Sequence, residues 1–200
     1  MHFFVRVLKL GILAGLLALG GCASQHAPSS SSPATSKQQR HQLEQLSQWQ
    51  AKGAFALNTE THHLSANLAW QQHGRNYDIS FFGPMGMGVI QVQGNPNRVR
   101  LQTGDGKVFY AKSPEELLRT QLGWNLPISH LYYWIRGLPV PGIPSKPTLD
   151  QDQRLVQLRQ ANWLVSFKQY SSYQGVVLPT KIILQNPQLN LRLVISQWVL

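Results

Sequence analysis

Leu64-Ser65-Ala66-Asn67-Leu68-Ala69-Trp70 is the stretch on which the fold class of this 200-residue chain turns. Leu64, Ala66, Leu68 and Trp70 alternate with Ser65, Asn67 and Ala69. That period of two puts the larger apolar groups on one face of an extended strand, whereas a helix would scatter them around its axis. Upstream, Gly53-Ala54-Phe55-Ala56-Leu57 begins a strand expected to pair with it. Downstream, residues 76–82 put Tyr77, Ile79 and Phe81 on one face, and residues 88–93 give a fourth strand. Gly94-Asn95-Pro96-Asn97 and Gly104-Asp105-Gly106 are turn signals, each followed by a short run, around Val99 and Leu101 and then Val108 and Tyr110. Further strands are expected at 154–159, 163–170, 179–185 and 189–197, the last two joined through Asn186-Pro187. The expected fold is mainly β, an antiparallel meander of about ten or eleven strands. So wide a sheet does not stay flat, and curvature with helices closing one side satisfies it.

The helices are inserted in the middle. Ser113-Pro114-Glu115-Glu116 combines a capping serine, a first-turn proline and a carboxylate three residues past the cap. Leu117, Leu118 and Leu122 form the buried stripe that follows. A second start at Ser129 leads through Leu131, Trp134 and Ile135 to Gly137, with Trp134 read first as a core packing residue. The proline-rich residues 139–147 read as a loop. Nearer the start, Leu43, Leu46 and Trp49 recur at helical spacing, which predicts a short amphipathic helix over 40–50.

The beginning of the chain has a different character. Arg6 and Lys9 precede an apolar run at 10–19, then Gly20-Gly21 and Cys22, the one cysteine present. The order basic, apolar, small is that of a secretory signal peptide, and its apolar core is short for a membrane-spanning helix. Leu19-Gly20-Gly21-Cys22 resembles the lipobox of bacterial lipoproteins, which implies cleavage before Cys22 and a covalent lipid on its thiol. Ala23 stands where aspartate would act as an inner-membrane retention signal in that class, so the resemblance implies the outer membrane. The division expected is a signal peptide at 1–21, a lipidated flexible linker at 22–40 and a folded domain at 41–200. Pro28-Ser29-Ser30-Ser31-Ser32-Pro33 offers almost nothing to bury, in keeping with a leash.

Composition narrows the partners. The whole chain carries 18 basic and 8 acidic residues, formally +10, and cleavage would leave the balance near +8. Export disfavours nucleic acid, which leaves anionic lipid headgroups or an acidic protein beside plain solubility charge. No HExxH, paired cysteines, phosphate-cradling glycine loop or GxSxG elbow is present, and the rings of His62-His63 point to opposite faces. The expectation is therefore no catalysis and no cofactor beyond the lipid on Cys22.

Phe81-Phe82-Gly83-Pro84-Met85-Gly86-Met87-Gly88 joins two strands and puts methionine where turn tips are normally polar. A flexible, polarisable methionine there suits insertion into an acyl phase, and folding back over the core suits it equally. At this loop the chain resembles the LolB family of outer-membrane lipoproteins. Four segments carry the resemblance in collinear order: Gly53-Ala54-Phe55-Ala56; Trp70-Gln71-Gln72 leading into Tyr77; Gly83-Pro84-Met85-Gly86; and Trp134-Ile135-Arg136-Gly137-Leu138-Pro139. Leu178-Pro179 and Trp198 fit as well. The resemblance implies an unclosed antiparallel half-barrel of about eleven strands, a helical lid and an apolar cavity for acyl chains. It also implies a monomeric receptor that takes lipoproteins from a periplasmic carrier resembling LolA and inserts them into the outer membrane. Met85 stands where that family places a protruding apolar residue, typically leucine. The cavity candidates are Phe55, Leu68, Trp70, Ile79, Phe81, Ile90 and Trp134. A structural lipoprotein binding an envelope polymer or assembly partner is the alternative that the residues leave open.

Overall fold

Alternating side chains build one continuous sheet. In a computed structural model the described residues are 33–60, 63–83 and 88–200, so Cys22, Met85 and the segment read as signal peptide lie outside them. The strands are β1 (Gln48–Thr59), β2 (His63–His73), β3 (Asn76–Phe82), β4 (Ile90–Gly94), β5 (Val99–Gln102) and β6 (Val108–Ala111), then β7 (Ser145–Leu149), β8 (Leu155–Gln160), β9 (Trp163–Tyr173), β10 (Val176–Asn186) and β11 (Leu189–Val199). The helices are α1 (Pro33–Gln45), α2 (Pro114–Leu122) and α3 (Ile128–Trp134). The spatial order is β6-β5-β4-β3-β2-β1-β11-β10-β9-β8-β7, with every neighbouring pair antiparallel. The sheet does not close on itself, because β6 and β7 remain its edges.

Two meanders meet at one seam, where β1 pairs with β11 through Phe55↔Leu193 and Leu57↔Leu191. Across the seam the register shifts between Lys52 and Gly53, a bulge at which a Cβ on Gly53 would collide with the Val194 carbonyl oxygen. Glycine is required there for close approach of two backbones. A second irregularity follows Pro179 in β10, which has no N–H for the ladder.

One face of the sheet carries the core. Phe55, Leu57, Leu68, Trp70, Ile79, Phe81, Val92, Leu101, Phe167, Ile182, Leu191 and Leu193 are buried there, under α2 and α3. Ser113 caps α2 by accepting a hydrogen bond from the Glu116 N–H at 3.2 Å, and Gly123 ends it in the left-handed region at φ 71°.

Two boundaries differ from expectation. The first helix covers 33–45, beginning inside the stretch read as linker, and Trp49 belongs to β1. Leu43 in the last turn of the helix and Leu46 just past it happen to precede Trp49 by helical intervals, so the spacing bridges two elements. The proline-rich loop also ends sooner than expected, because Pro147 lies within β7. That strand is exposed throughout and at the edge of the sheet, where a missing N–H is tolerated.

Candidate functional site

Four adjacent strands and the lid enclose an apolar cavity. Phe55 of β1, Leu68 and Trp70 of β2, Ile79 and Phe81 of β3, and Leu191 and Leu193 of β11 form its floor. Leu126, Ile128, Leu131 and Ile135, from α3 and its flanks, form its roof. The one polar group in this lining, the Trp70 indole N–H, is satisfied by the Gln72 amide oxygen at 2.9 Å. The space left is about 20 Å³, room for about one water molecule. Small-molecule pockets run to roughly 300–1,000 Å³, so a long acyl chain enters only if the roof lifts.

The roof is attached unequally. At its far end the Trp134 indole donates to the Gln160 amide oxygen at 3.0 Å, and Gln160 also bonds the backbone of Val140 and Ile143. Arg136 follows, 1 % exposed. Its guanidinium donates to the carbonyls of Leu43 at 3.0 Å, Leu46 at 2.8 Å and Tyr132 at 3.0 Å, and lies 4.1 Å over the Tyr132 ring. Those first two acceptors are carbonyls in the last turn of α1 and just past its end, left without intrahelical partners, so a single side chain fastens that helix to the lid. Burial lowers the Arg136 pKa from its usual value, yet guanidinium stays charged in proteins. At the near end, Glu115 accepts from the Ser129 N–H at 2.7 Å, linking α2 to α3. Contact with the sheet there includes Leu117 and Leu118 of α2, buried in the core, and Trp124, edge-on to Phe55 at 6.1 Å and Phe81 at 5.7 Å. Edge-to-face aromatic pairs contribute about 0.5–1.5 kcal/mol each beyond area burial. This end of the lid is held by apolar contact, the other by buried hydrogen bonds.

Of the residues singled out in the sequence, Phe55, Leu68, Trp70, Ile79 and Phe81 line the cavity. Ile90 and Trp134 do not. Ile90 pairs with Phe81 but is half-buried at the end of β4, beyond the lining, and Trp134 packs toward Trp163 and Gln160 on the far side of α3. The six lining residues the sequence reading missed are Leu126, Ile128, Leu131, Ile135, Leu191 and Leu193. Period two in β11 could have flagged the last pair; nothing local marks the roof residues as facing a cavity. The β3–β4 connection leaves the sheet at Phe82, and its returning base at Gly88 lies against Gly104 of the β5–β6 turn. Among the described residues no group of three His, Cys, Asp or Glu side chains could hold a metal ion, and none of their helices is long and apolar enough to cross a membrane.

An unclosed antiparallel sheet with a helical lid over an apolar interior defines a class of half-barrel proteins, and solved structures share it. A DUF1329 family protein from Desulfovibrio piger superposes with a TM-score of 0.56 at 10% identity, covering 82% of this chain and 89% of that one. A LolA superfamily protein from Nitrosomonas europaea gives 0.53 at 9% identity, covering 87% and 94%. At such identities the likeness is one of fold.

Sequence relatives define the family. The profile described as "Outer membrane lipoprotein LolB" matches residues 47–198. Proteins named outer-membrane lipoprotein LolB are 38% identical over 192 residues in Nitrosococcus oceani, covering 94% of this chain and 96% of the relative. In Pseudomonas aeruginosa the figures are 38% over 196 residues, covering 96% of each. The chain belongs to the LolB family of outer-membrane lipoproteins.

Proposed function

We propose that this protein is a lipoprotein receptor of the outer membrane, which accepts the acyl chains of client lipoproteins from a periplasmic carrier resembling LolA and passes them into the bilayer. The observation that carries the reading is the apolar cavity beneath a lid held by buried hydrogen bonds at one end and by apolar contact at the other. Each methylene taken out of water contributes about 0.8 kcal/mol, so a multiply acylated client cannot cross the periplasm with its chains exposed. A second cavity of similar character accepts them from the carrier without nucleotide hydrolysis, and no catalytic step is needed. The thiol of Cys22 carries the protein's own lipid after removal of 1–21, and the following residues act as its leash. Two or three chains there hold the domain on the membrane, whereas one binds marginally.

Opening proceeds from the Trp124 end, with the buried bonds of Trp134 and Arg136 as the pivot. Trp124→Ala removes two aromatic pairs and is expected to raise the affinity of an apolar fluorophore for the folded domain about tenfold. Unchanged or weaker binding in a fluorescence titration would show that this contact does not hold the cavity shut.

Met85 supplies the insertion step. Met85→Glu places a charge where an apolar tip must enter the acyl phase, and lipoprotein transfer from a loaded carrier to outer-membrane vesicles is expected to be lost. Transfer at the parental rate would refute the insertion role. Acceptance from the carrier is a separate measurement: the Met85→Glu protein should still take up the client, and failure of the correctly folded parent to do so would refute the receptor itself.

A further inference from the structure

The outward face of the sheet is electrically divided. Over β3–β5 it is a hydrogen-bonded lattice of amides with one acid and one base. Asp78 accepts from Gln91 and Gln93, each at 2.8 Å, while Arg100 donates to Gln93 at 3.3 Å and to Gln102 at 2.6 Å. Over the other half, six consecutive strands each present one cation: Lys146 of β7, Arg159 of β8, Lys168 of β9, Lys181 of β10, Arg192 of β11 and Lys52 of β1. They point outward because their neighbours Leu158, Phe167, Ile182, Leu191, Leu193 and Ala51 are buried in the core, and Lys146 pairs with Arg159. Residues 153–200 contain no aspartate or glutamate. None of the six cations forms an ion pair among the described residues. Lys146 stands directly opposite Arg159, a like-charged cross-strand pair that weakens the ladder unless an anion lies across it. Val194, 41% exposed and paired with Lys181, stands on this same face.

We propose that this face docks on anionic phospholipid headgroups of the leaflet that holds the lipid anchor. The inference rests on the anchoring of Cys22 argued above. Eleven residue steps separate Cys22 from Pro33, so the leash spans at most about 40 Å, and the domain always works within reach of the headgroups. Six strands spread the cations over about 24 Å. Four of the six are lysines, point charges on flexible stems that meet mobile phosphates without fixed geometry. The docked domain rests on its C-terminal half-sheet, and Lys146 and Arg159 lie toward the end of the sheet that also bears the β3–β4 connection.

The test uses the mature lipidated chain in vesicles of phosphatidylethanolamine alone or with added phosphatidylglycerol. The lipid occupies the Cys22 thiol, so a fluorophore can be placed on a cysteine introduced by Gln185→Cys on the cationic half or Asn67→Cys on the amide half. Quenching by a headgroup-linked spin label should rise with phosphatidylglycerol at position 185, change little at 67, and fall back at high salt. Each cation near an anionic surface is worth about fivefold in partition, so Lys168→Gln, Lys181→Gln and Arg192→Gln together should lower the docked-to-undocked ratio about 100-fold. A chain that fails to float with the vesicles overturns the anchor, and this proposal with it. A floating chain whose quenching is indifferent to phosphatidylglycerol, or equal at the two positions, overturns this proposal alone.

Discussion

Arg136→Ala is expected to destabilise the domain by about 3–5 kcal/mol, because it removes a buried side chain and strips one buried and two partly buried carbonyls of their donor, at about 1–3 kcal/mol for the buried one and less for the others. Two of the acceptors are Leu43 in the last turn of α1 and Leu46 just beyond it, and the third, Tyr132, belongs to α3. The loss therefore falls on the junction between the N-terminal helix and the lid. A lysine cannot replace the arginine, since a single ammonium lacks the planar fork that reaches separate acceptors while stacking on Tyr132. Arg136→Lys should recover less than half of the lost stability. Urea unfolding gives the magnitude, and amide exchange gives the location. Residues 37–46 should lose protection well below the global unfolding free energy, while β2 amides follow it. A variant within about 1 kcal/mol of the parent, with α1 still protected, would mean that the helix docks without the clamp.

The second large effect lies at the seam. Gly53→Val forces a branched side chain against the main chain of Val194 and Ile195, neither of which can move aside as a side-chain tip could. Relief requires separation of β1 from β11, the one pairing that joins the two meanders. A cost of about 3–5 kcal/mol is expected, against a total of about 5–15 kcal/mol for an ordinary domain. Thermal unfolding and soluble yield should both fall sharply. The comparison is Gly74→Ala, where no atom lies within 4 Å but φ is +59°; only backbone strain operates there, and the loss should be near 1 kcal/mol. Equal losses at the two positions would show that close approach at the seam is not the cause.

Which features could be read from the sequence follows from how local their causes are. The bounds of β3, 76–82, are legible to the residue, because alternation, a preceding turn and a following glycine are all contained within a few positions. The start of α2 was legible for the same reason, its cap, proline and carboxylate being contiguous. Trp49 was misplaced because a helix and a strand met without a proline or glycine between them, and the spacing carried across. The cavity was partly legible. Period two grouped Phe55, Leu68, Trp70, Ile79 and Phe81, but not the face on which the lid would sit. Ile90 fails by its position along a strand and Trp134 by its direction from a helix, neither of which periodicity encodes. Arg136 lies within a recognised segment, yet two of its three acceptors are some ninety residues away.

The strand order also dictates when the sheet can be completed. Within each meander every strand pairs with its neighbour in sequence, and those contacts form early. The long edge of β1 has no such neighbour. It waits, with the hydrogen-bonding groups of that edge unpaired and Trp49 lacking its contact with Trp198, until residues 189–199 have emerged. A chain exported from its beginning would thus display an open strand edge for most of its passage, the kind of surface that recruits other chains. Truncation of even the final strand would leave a half-sheet that is sticky rather than merely incomplete.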